Sequence, residues 1–252
     1  MINREMSQST ILRSVPESFD GKTREILRAI QTLRQPGEVA EVRAFSGRGT
    51  ISGYFSDYGE LARRAADLDD RGCQVYTTLN PVLPALLARS ENRLESRMKA
   101  TTTDSDVMKR SWLPIDLDPV RPSGISASEP QKQAAIRRAA EIRGYLADKG
   151  WPDPVEADSG NGAHLLYRVD LPNDRGSLEL VKGVLAALDF MFSDGAVNVD
   201  TGVANAARIW KLYGTTARKG DSTKERPHRR SRLLRVPGTV QEATLADVIA
   251  WK

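Results

Sequence analysis

Apolar residues recur along this chain with two periods, and the switches between them mark alternating helices and strands. Over 22–33, Ile26, Leu27, Ile30 and Leu33 share one face of a helix that Pro36 and Gly37 terminate. The segments 41–46 and 50–55 carry strand-type residues on either side of Gly47, Arg48 and Gly49, which predicts a hairpin. Helical spacing returns over 57–70 through Leu61, Ala62, Ala65 and Leu68. Positions 74–79 are rich in β-formers and end at Asn80 and Pro81, 83–97 reads as a helix, and 101–106 is a polar, threonine-rich break. This first portion is α/β in pattern and contains no internal repeat.

The second portion opens on an apolar run from Trp112 to Asp118, which predicts a buried strand. An irregular loop through Pro119, Pro122, Ser123 and Gly124 leads to a helix over 131–149, with Ala135, Ile136, Ala139, Ile142 and Leu146 as its core stripe and Gly150 as its stop. Segments 155–157 and 163–170 predict a hairpin interrupted by Ser-Gly-Asn-Gly, and 177–192 predicts a second long helix. The short run 197–200 fits strand or loop, 206–213 fits a helical or extended segment, and 231–236 predicts a final strand. The resulting β-α-β-β-α-β order is that of a split βαβ unit, shared by ferredoxin-like and RNA-recognition folds. Topology of this kind assigns no function by itself.

Composition narrows the class. A chain of 252 residues, 40% apolar and 28% charged, can bury a sizeable core as one large domain or two subdomains sharing an interface. No stretch approaches the roughly 18 apolar residues of a membrane span. The first fifteen residues carry an acid and several polar side chains where a secretory signal needs an apolar block, so the expectation is a cytoplasmic protein without membrane contact. The single cysteine, Cys73, excludes an internal disulfide and a cysteine-rich zinc module, and is expected as a packing residue. The net charge of +4 is unevenly spread. Between Arg218 and Arg235 lie six arginines and two lysines opposed only by Asp221 and Glu225. Such a run is either a solvated loop or a phosphate-contacting surface, with Lys219, Arg226, Arg229 and Arg230 as the candidate nucleic-acid contacts.

The candidate chemistry lies in three short strings. Residues i and i+2 of a strand point to the same face, so Asp116 and Asp118 would project together from a rigid element. Two neighbouring carboxylates repel, and a divalent cation relieves them; oxygen-only ligation favours Mg2+ or Mn2+. The alternative is a surface turn before Pro119, against which stand the apolar neighbours Leu113, Ile115 and Leu117. Asp200 can supply a third carboxylate, or cap a turn at Thr201. The run Ser159-Gly160-Asn161-Gly162-Ala163-His164 can present backbone N–H groups and an imidazole to phosphate, or bury a hydrogen-bonded histidine. Arg208 and Lys211 either clamp phosphates or snorkel around Trp210.

Taken in order, Asp116/Asp118, Gly162-Ala163-His164 and Val199-Asp200 resemble the three motifs of the archaeo-eukaryotic primase superfamily, above all the bifunctional primase–polymerases of phages, plasmids and mobile elements. The strings from Thr78, Asn205 and Glu225 share that resemblance, which spans about 39–237. It implies an α+β fold with a primase-like core, in which an N-terminal α/β unit packs on an RNA-recognition-like catalytic unit. The corresponding division is an N-terminal helical segment 1–38, an α/β subdomain 39–110 and a catalytic subdomain 111–252, forming one shared catalytic domain. Asp116, Asp118 and Asp200 would hold catalytic Mg2+ or Mn2+, His164 would contact the incoming nucleotide's phosphates, and Ser159, Asn161 and Gly162 would shape that pocket. Arg208 and Lys211 match basic positions of the third-motif region. The implied activity is template-directed nucleotidyl transfer by a DNA primase or polymerase, on a single-stranded template or primer-template, with NTP or dNTP as substrate. No Walker A string is present, so a helicase would come from another chain or a missing region, and no zinc-binding stem accompanies the motifs. Two other classes share some of these features: a non-catalytic DNA-binding replication-initiator module and a metal-dependent nuclease. The last residues, 246–252, read as a helix cut short.

Overall fold

The computed structural model describes residues 18–47 and 49–243; Arg48 of the hairpin turn, the first fifteen residues and the C-terminal helix expected over 246–252 lie outside them. In chain order the first elements are α1 (Gly21–Leu33), β1 (Ala40–Ser46), β2 (Gly49–Phe55), α2 (Tyr58–Asp70), β3 (Gln74–Thr78) and β4 (Glu95–Ser96). There follow β5 (Lys109–Pro119), α3 (Glu129–Asp148), β6 (Val155–Asp158), β7 (Ala163–Pro172), α4 (Arg175–Phe192) and β8 (Val197–Val199). The last elements of the described residues are β9 (Ile209–Lys211), β10 (Thr216–Ala217), β11 (Arg229–Arg230) and β12 (Arg232–Arg235).

The expected helices start where a side chain can satisfy the first free N–H groups. Asp20 caps α1 through Thr23 N, Asp57 caps α2 through Gly59 N and Glu60 N, and Asp174 caps α4 through Ser177 N. Ser128 and Gln131 form a reciprocal capping box on α3, so that helix begins at Glu129, two residues before the start at 131 that its sequence predicts. The segment 83–97 is not a helix. It makes a 3-10 turn over Pro84–Arg89, and the chain then runs along β2 to the two-residue β4. The competing demand is the sheet edge: Tyr54 N donates to Ser90 O, Asn92 N donates to Tyr54 O, and the Asn92 side chain accepts from Ser56 N and Asp57 N. Gly53 makes room for this strap, since a Cβ there would sit 2.0 Å from the Arg93 carbonyl oxygen.

Two five-stranded sheets result, ordered β4-β2-β1-β3-β9 and β12-β6-β7-β5-β8. In the second, the pairs β6–β7, β7–β5 and β5–β8 are all antiparallel, which is the strand order of a split βαβ unit with β12 added at one edge. The helices α3 and α4 bury Ala135, Ala139, Ile142, Leu146, Val181, Leu185 and Leu188 against Ile115, Leu117 and Leu165. Asp116 and Asp118 alternate with these apolar residues and leave the core for the opposite face. In the first sheet α1 and α2 cover Ala40, Val42, Ala44 and Val75, and Cys73 is a buried member of that core.

The units are sewn together. Trp112 donates its indole N–H to Leu33 O at the end of α1, 3.0 Å away. Asn80 donates to Ala206 O at 3.0 Å and accepts from Ser111 N at 2.8 Å. The strand β9, which follows the split βαβ unit in sequence, crosses back to pair with β3, Tyr76 opposite Lys211 and Thr77 opposite Trp210. That crossing lays residues of the third motif beside the first sheet. No helix among the described residues is long and apolar enough to cross a membrane.

Candidate active site

Register alone assembles the centre of the site. On β5, Asp116 pairs with His164 of β7 on one side, and on the other Leu117 pairs with Val199 of β8. The next residue, Asp200, donates its N–H to Asp116 O at 2.8 Å. The three motifs therefore form one cross-strand row, His164, Asp116, Asp200, with Asp118 two residues further along β5 on the same face.

This row opens on a cleft lined by Asp116, Asp118, Ser159, Asn161, His164, Asp200, Arg208, Lys211 and Lys219, with Gln74 and Tyr76 of β3 as the facing wall. A second groove shares Gln74, Tyr76, Asp118 and Lys219 and continues past the loop from Pro119 to Ile125 and Arg218. Nine of the residues singled out in the sequence thus meet in one place. Gly162 lies behind the cleft wall, where a Cβ would stand 2.1 Å from the Leu117 carbonyl oxygen, so only glycine lets β7 start this close to β5.

The remaining arginines are engaged elsewhere. Arg226 donates to Ser126 O and Gln131 Oε1, Arg229 donates to Ala127 O and pairs with Glu129, and Arg230 pairs with Glu25 of α1. They fasten the basic segment to the start of α3 and to α1. The Ser159–Gly162 turn also differs from a phosphate cradle. Gly160 N donates to Asp158 Oδ1, and Asn161 N and Gly162 N donate to Ser159 Oγ. Those N–H groups are consumed by the turn itself, because Asp158 and Ser159 are placed to cap it. What reaches the cleft are the Ser159 and Asn161 side chains, the latter also accepting from Ala127 N at 2.8 Å.

His164 is buried and held on three sides. Its Nδ1 lies 2.8 Å from the Tyr213 hydroxyl, its Nε2 lies 3.4 Å from Asp116 Oδ1, and its ring packs on Trp210 with centroids 4.2 Å apart. Trp210 donates its indole N–H to the same Tyr213 hydroxyl at 2.7 Å. Burial pushes the Tyr213 phenol well above its ordinary range. Lys211 is also buried. Its Nζ donates to Thr216 O at 2.8 Å and Val75 O at 3.3 Å and lies over the Tyr76 ring, and burial lowers its pKa to about 7. Arg208 donates to Gly202 O.

The carboxylates differ in their readiness for a cation. Asp116 Oδ1 is buried and has no hydrogen-bond partner. Asp118 Oδ1 lies 3.3 Å from both terminal nitrogens of Arg121, and Asp200 Oδ1 accepts from Gly202 N at 2.8 Å, capping the turn Thr201–Val203. Among the described residues no group of three or more histidine, cysteine or acidic side chains is gathered tightly enough to hold an ion. Magnesium, however, is commonly bound through one or two carboxylates, with water and substrate phosphate oxygens completing the shell. The unsatisfied Asp116 oxygen beside Asp118 fits that donor set, and Asp200 would join it by releasing its cap.

Gln74, Tyr76, Arg121, Trp210 and Tyr213 belong to the site but were not singled out as functional from sequence. Alternation in β3 could have placed Gln74 and Tyr76 on the face opposite the buried Val75. Nothing local announces that Tyr213 meets a histidine 49 residues away.

No protein-family model matches the chain, and no curated protein matches it. Among solved structures it is similar to primase RepB′, at 14% identity and a TM-score of 0.50, over 91% of this chain and 62% of that one. It is also similar to the catalytic domain of primase RepB′ in complex with initiator DNA, at 14% identity and a TM-score of 0.49, over 92% and 94% of the two chains. The chain thus spans 62% of the length of the first of these structures. At such identity the likeness is one of architecture, and the α+β arrangement of this chain is a primase-like fold.

Proposed function

We propose that this chain catalyses template-directed nucleotidyl transfer as a DNA primase or DNA polymerase. The observation that carries the reading is the cross-strand row of His164, Asp116 and Asp200, with Asp118 beside it, at the base of one cleft. Acids that alternate with a fully buried apolar core are held by a rigid sheet, as a reaction requiring fixed geometry demands.

In this reading Asp116, Asp118 and Asp200 would hold Mg2+ or Mn2+. Bound there, the ion would neutralise phosphate charge and raise the nucleophilicity of an attacking 3′-hydroxyl. The chain's own residues bind and orient. His164 offers a donor to the triphosphate, Lys211 offers an ammonium from the facing wall, and Ser159 and Asn161 close the pocket beside them. Gln74 and Tyr76 border both the cleft and the adjoining groove, which suits the junction between an incoming nucleotide and the strand it joins. Lys219 lines both spaces and is the candidate contact to the nucleic-acid backbone. The single-stranded template or primer-template, and NTP or dNTP, are the partners this reading requires.

The test is a template-directed extension assay with magnesium or manganese, with and without a labelled primer, and with both sugar types. Lengthened products that fall at least about 100-fold in rate in Asp116→Asn and in Asp118→Asn are expected. Undiminished synthesis by both variants would remove the assignment, and shortened primers would turn it into a nuclease.

A further inference from the structure

We infer that Trp210 and Tyr213 are positioning residues that hold His164 in the tautomer carrying its proton on Nε2, so that the ring presents a donor to phosphate in the cleft. The inference rests on the nucleotidyl-transfer reading for its consequence, but not for its geometry.

The Tyr213 side chain is fully buried, and its hydroxyl has two neighbours, Trp210 Nε1 at 2.7 Å and His164 Nδ1 at 2.8 Å. An indole nitrogen can only donate, so the Tyr213 oxygen accepts from Trp210. The hydroxyl has one proton of its own, and His164 Nδ1 is the acceptor within reach. That nitrogen must then be bare, and the ring's proton sits on Nε2. The opposite tautomer would point an N–H at the hydroxyl and leave the hydroxyl proton buried without an acceptor, a costly arrangement. Packing against Trp210 at a centroid distance of 4.2 Å keeps the ring from turning over to exchange its nitrogens.

The choice of tautomer sets the sign of the interaction in the cleft. Nε2 lies 3.4 Å from Asp116 Oδ1, an oxygen with no hydrogen bond, so the Nε2–H is not consumed within the protein. A proton there attracts an anionic phosphate oxygen and tolerates the neighbouring carboxylate. A lone pair there would repel both. Tyr213 therefore decides whether His164 recognises or rejects a triphosphate, although it touches no substrate itself.

The chain contains two histidines, so a His228→Asn background leaves His164 as the single imidazole for nitrogen-15 spectroscopy. On the full chain at a pH where the ring is neutral, the expected spectrum shows Nε2 protonated and Nδ1 bare. Tyr213→Phe, which keeps the ring and deletes the hydroxyl, should give a mixture of tautomers and weaken ATP or dATP binding about tenfold. Proton on Nδ1 in the protein that keeps Tyr213 would overturn the inference, and that measurement needs no substitution at Tyr213. An unchanged tautomer in Tyr213→Phe would overturn it as well. A chain that shows the expected tautomer but binds no triphosphate would sink the proposed function and leave the lock in place.

Discussion

Asp116 and His164 are direct cross-strand partners on β5 and β7, and their side chains meet with His164 Nε2 3.4 Å from Asp116 Oδ1. Residues so placed should not act independently. If Asp116 holds the cation and His164 the phosphate that the cation also touches, the two serve one triphosphate. His164→Ala should raise the KM for nucleotide about tenfold, and Asp116→Asn should act mainly on kcat. In the double variant the losses should fall short of their sum by about 1 kcal/mol or more, the range found for residues sharing a network. Full additivity in steady-state kinetics would mean that they serve different groups.

Gly162 and Gly144 make a matched pair of opposite sign. A Cβ at Gly162 would stand 2.1 Å from the Leu117 carbonyl oxygen, and a backbone oxygen inside a ladder cannot move aside. Gly162→Ala should force β7 from β5, cost about 1–3 kcal/mol in stability and lower activity by displacing His164. Gly144 lies within α3 and a Cβ there meets nothing within 4 Å, so Gly144→Ala should add about 0.5–1 kcal/mol by removing chain entropy. Chemical denaturation of the two variants checks both signs.

Much of this architecture was legible because local signals agreed with the fold. The periodicity of α1, α2, α3 and α4, the turn at Gly47–Gly49 and the alternation from Ile115 to Asp118 each specify one element, and the β-α-β-β-α-β order follows. The acids and His164 could be grouped because their strands pair in the register that a split βαβ unit dictates. What failed was set by distant partners. Positions 83–97 have helical composition, yet their backbone is drawn onto the edge of β2. The Trp210–Tyr213–His164 network depends on β9 crossing between sheets, which no window of sequence contains.

Asp69 ties that crossing segment down. Its buried carboxylate accepts from Lys22 at 2.8 Å, Arg218 at 2.6 Å and Thr216 N at 2.8 Å, joining α2 to α1 and to the loop that carries Ala217 and Lys219 into the cleft. Burial alone would raise its pKa, but these hydrogen bonds outweigh it and hold the group at about 2, below its ordinary 3.8. A carboxyl with a depressed folded-state pKa binds fewer protons than its unfolded counterpart, so its stabilisation is whole above about 4 and is lost as pH falls towards 2. Asp69→Asn should cost about 2 kcal/mol at neutral pH, flatten the acid limb of the stability profile between those limits, and raise the KM for nucleotide by loosening the loop. An acid limb identical to that of the unsubstituted protein would show that another carboxylate dominates it.

Lys211 should report on the ligand through protons. Its ammonium faces two backbone carbonyls and the Tyr76 ring rather than a carboxylate, and burial brings its pKa to about 7 from an ordinary 10.5. Between those values the unfolded chain holds a proton that the folded chain has released. The unfolded state then binds more protons, so stability attributable to this residue rises as pH climbs from about 7 to about 10, and the cost of burying the charge is greatest below 7. Lys211→Met removes the charge and should abolish that rise, which unfolding curves at neutral and alkaline pH can compare. An anion in the cleft would favour the charged form and pull the pKa back up. Binding of ATP or dATP at about pH 8 should therefore take up a fraction of a proton, seen as a dependence of binding heat on the ionisation enthalpy of the buffer. The uptake should vanish in Lys211→Met. Proton uptake of the same size in both proteins would place the responding group elsewhere, and Lys211 would then be a strut between β9 and the loop at Thr216.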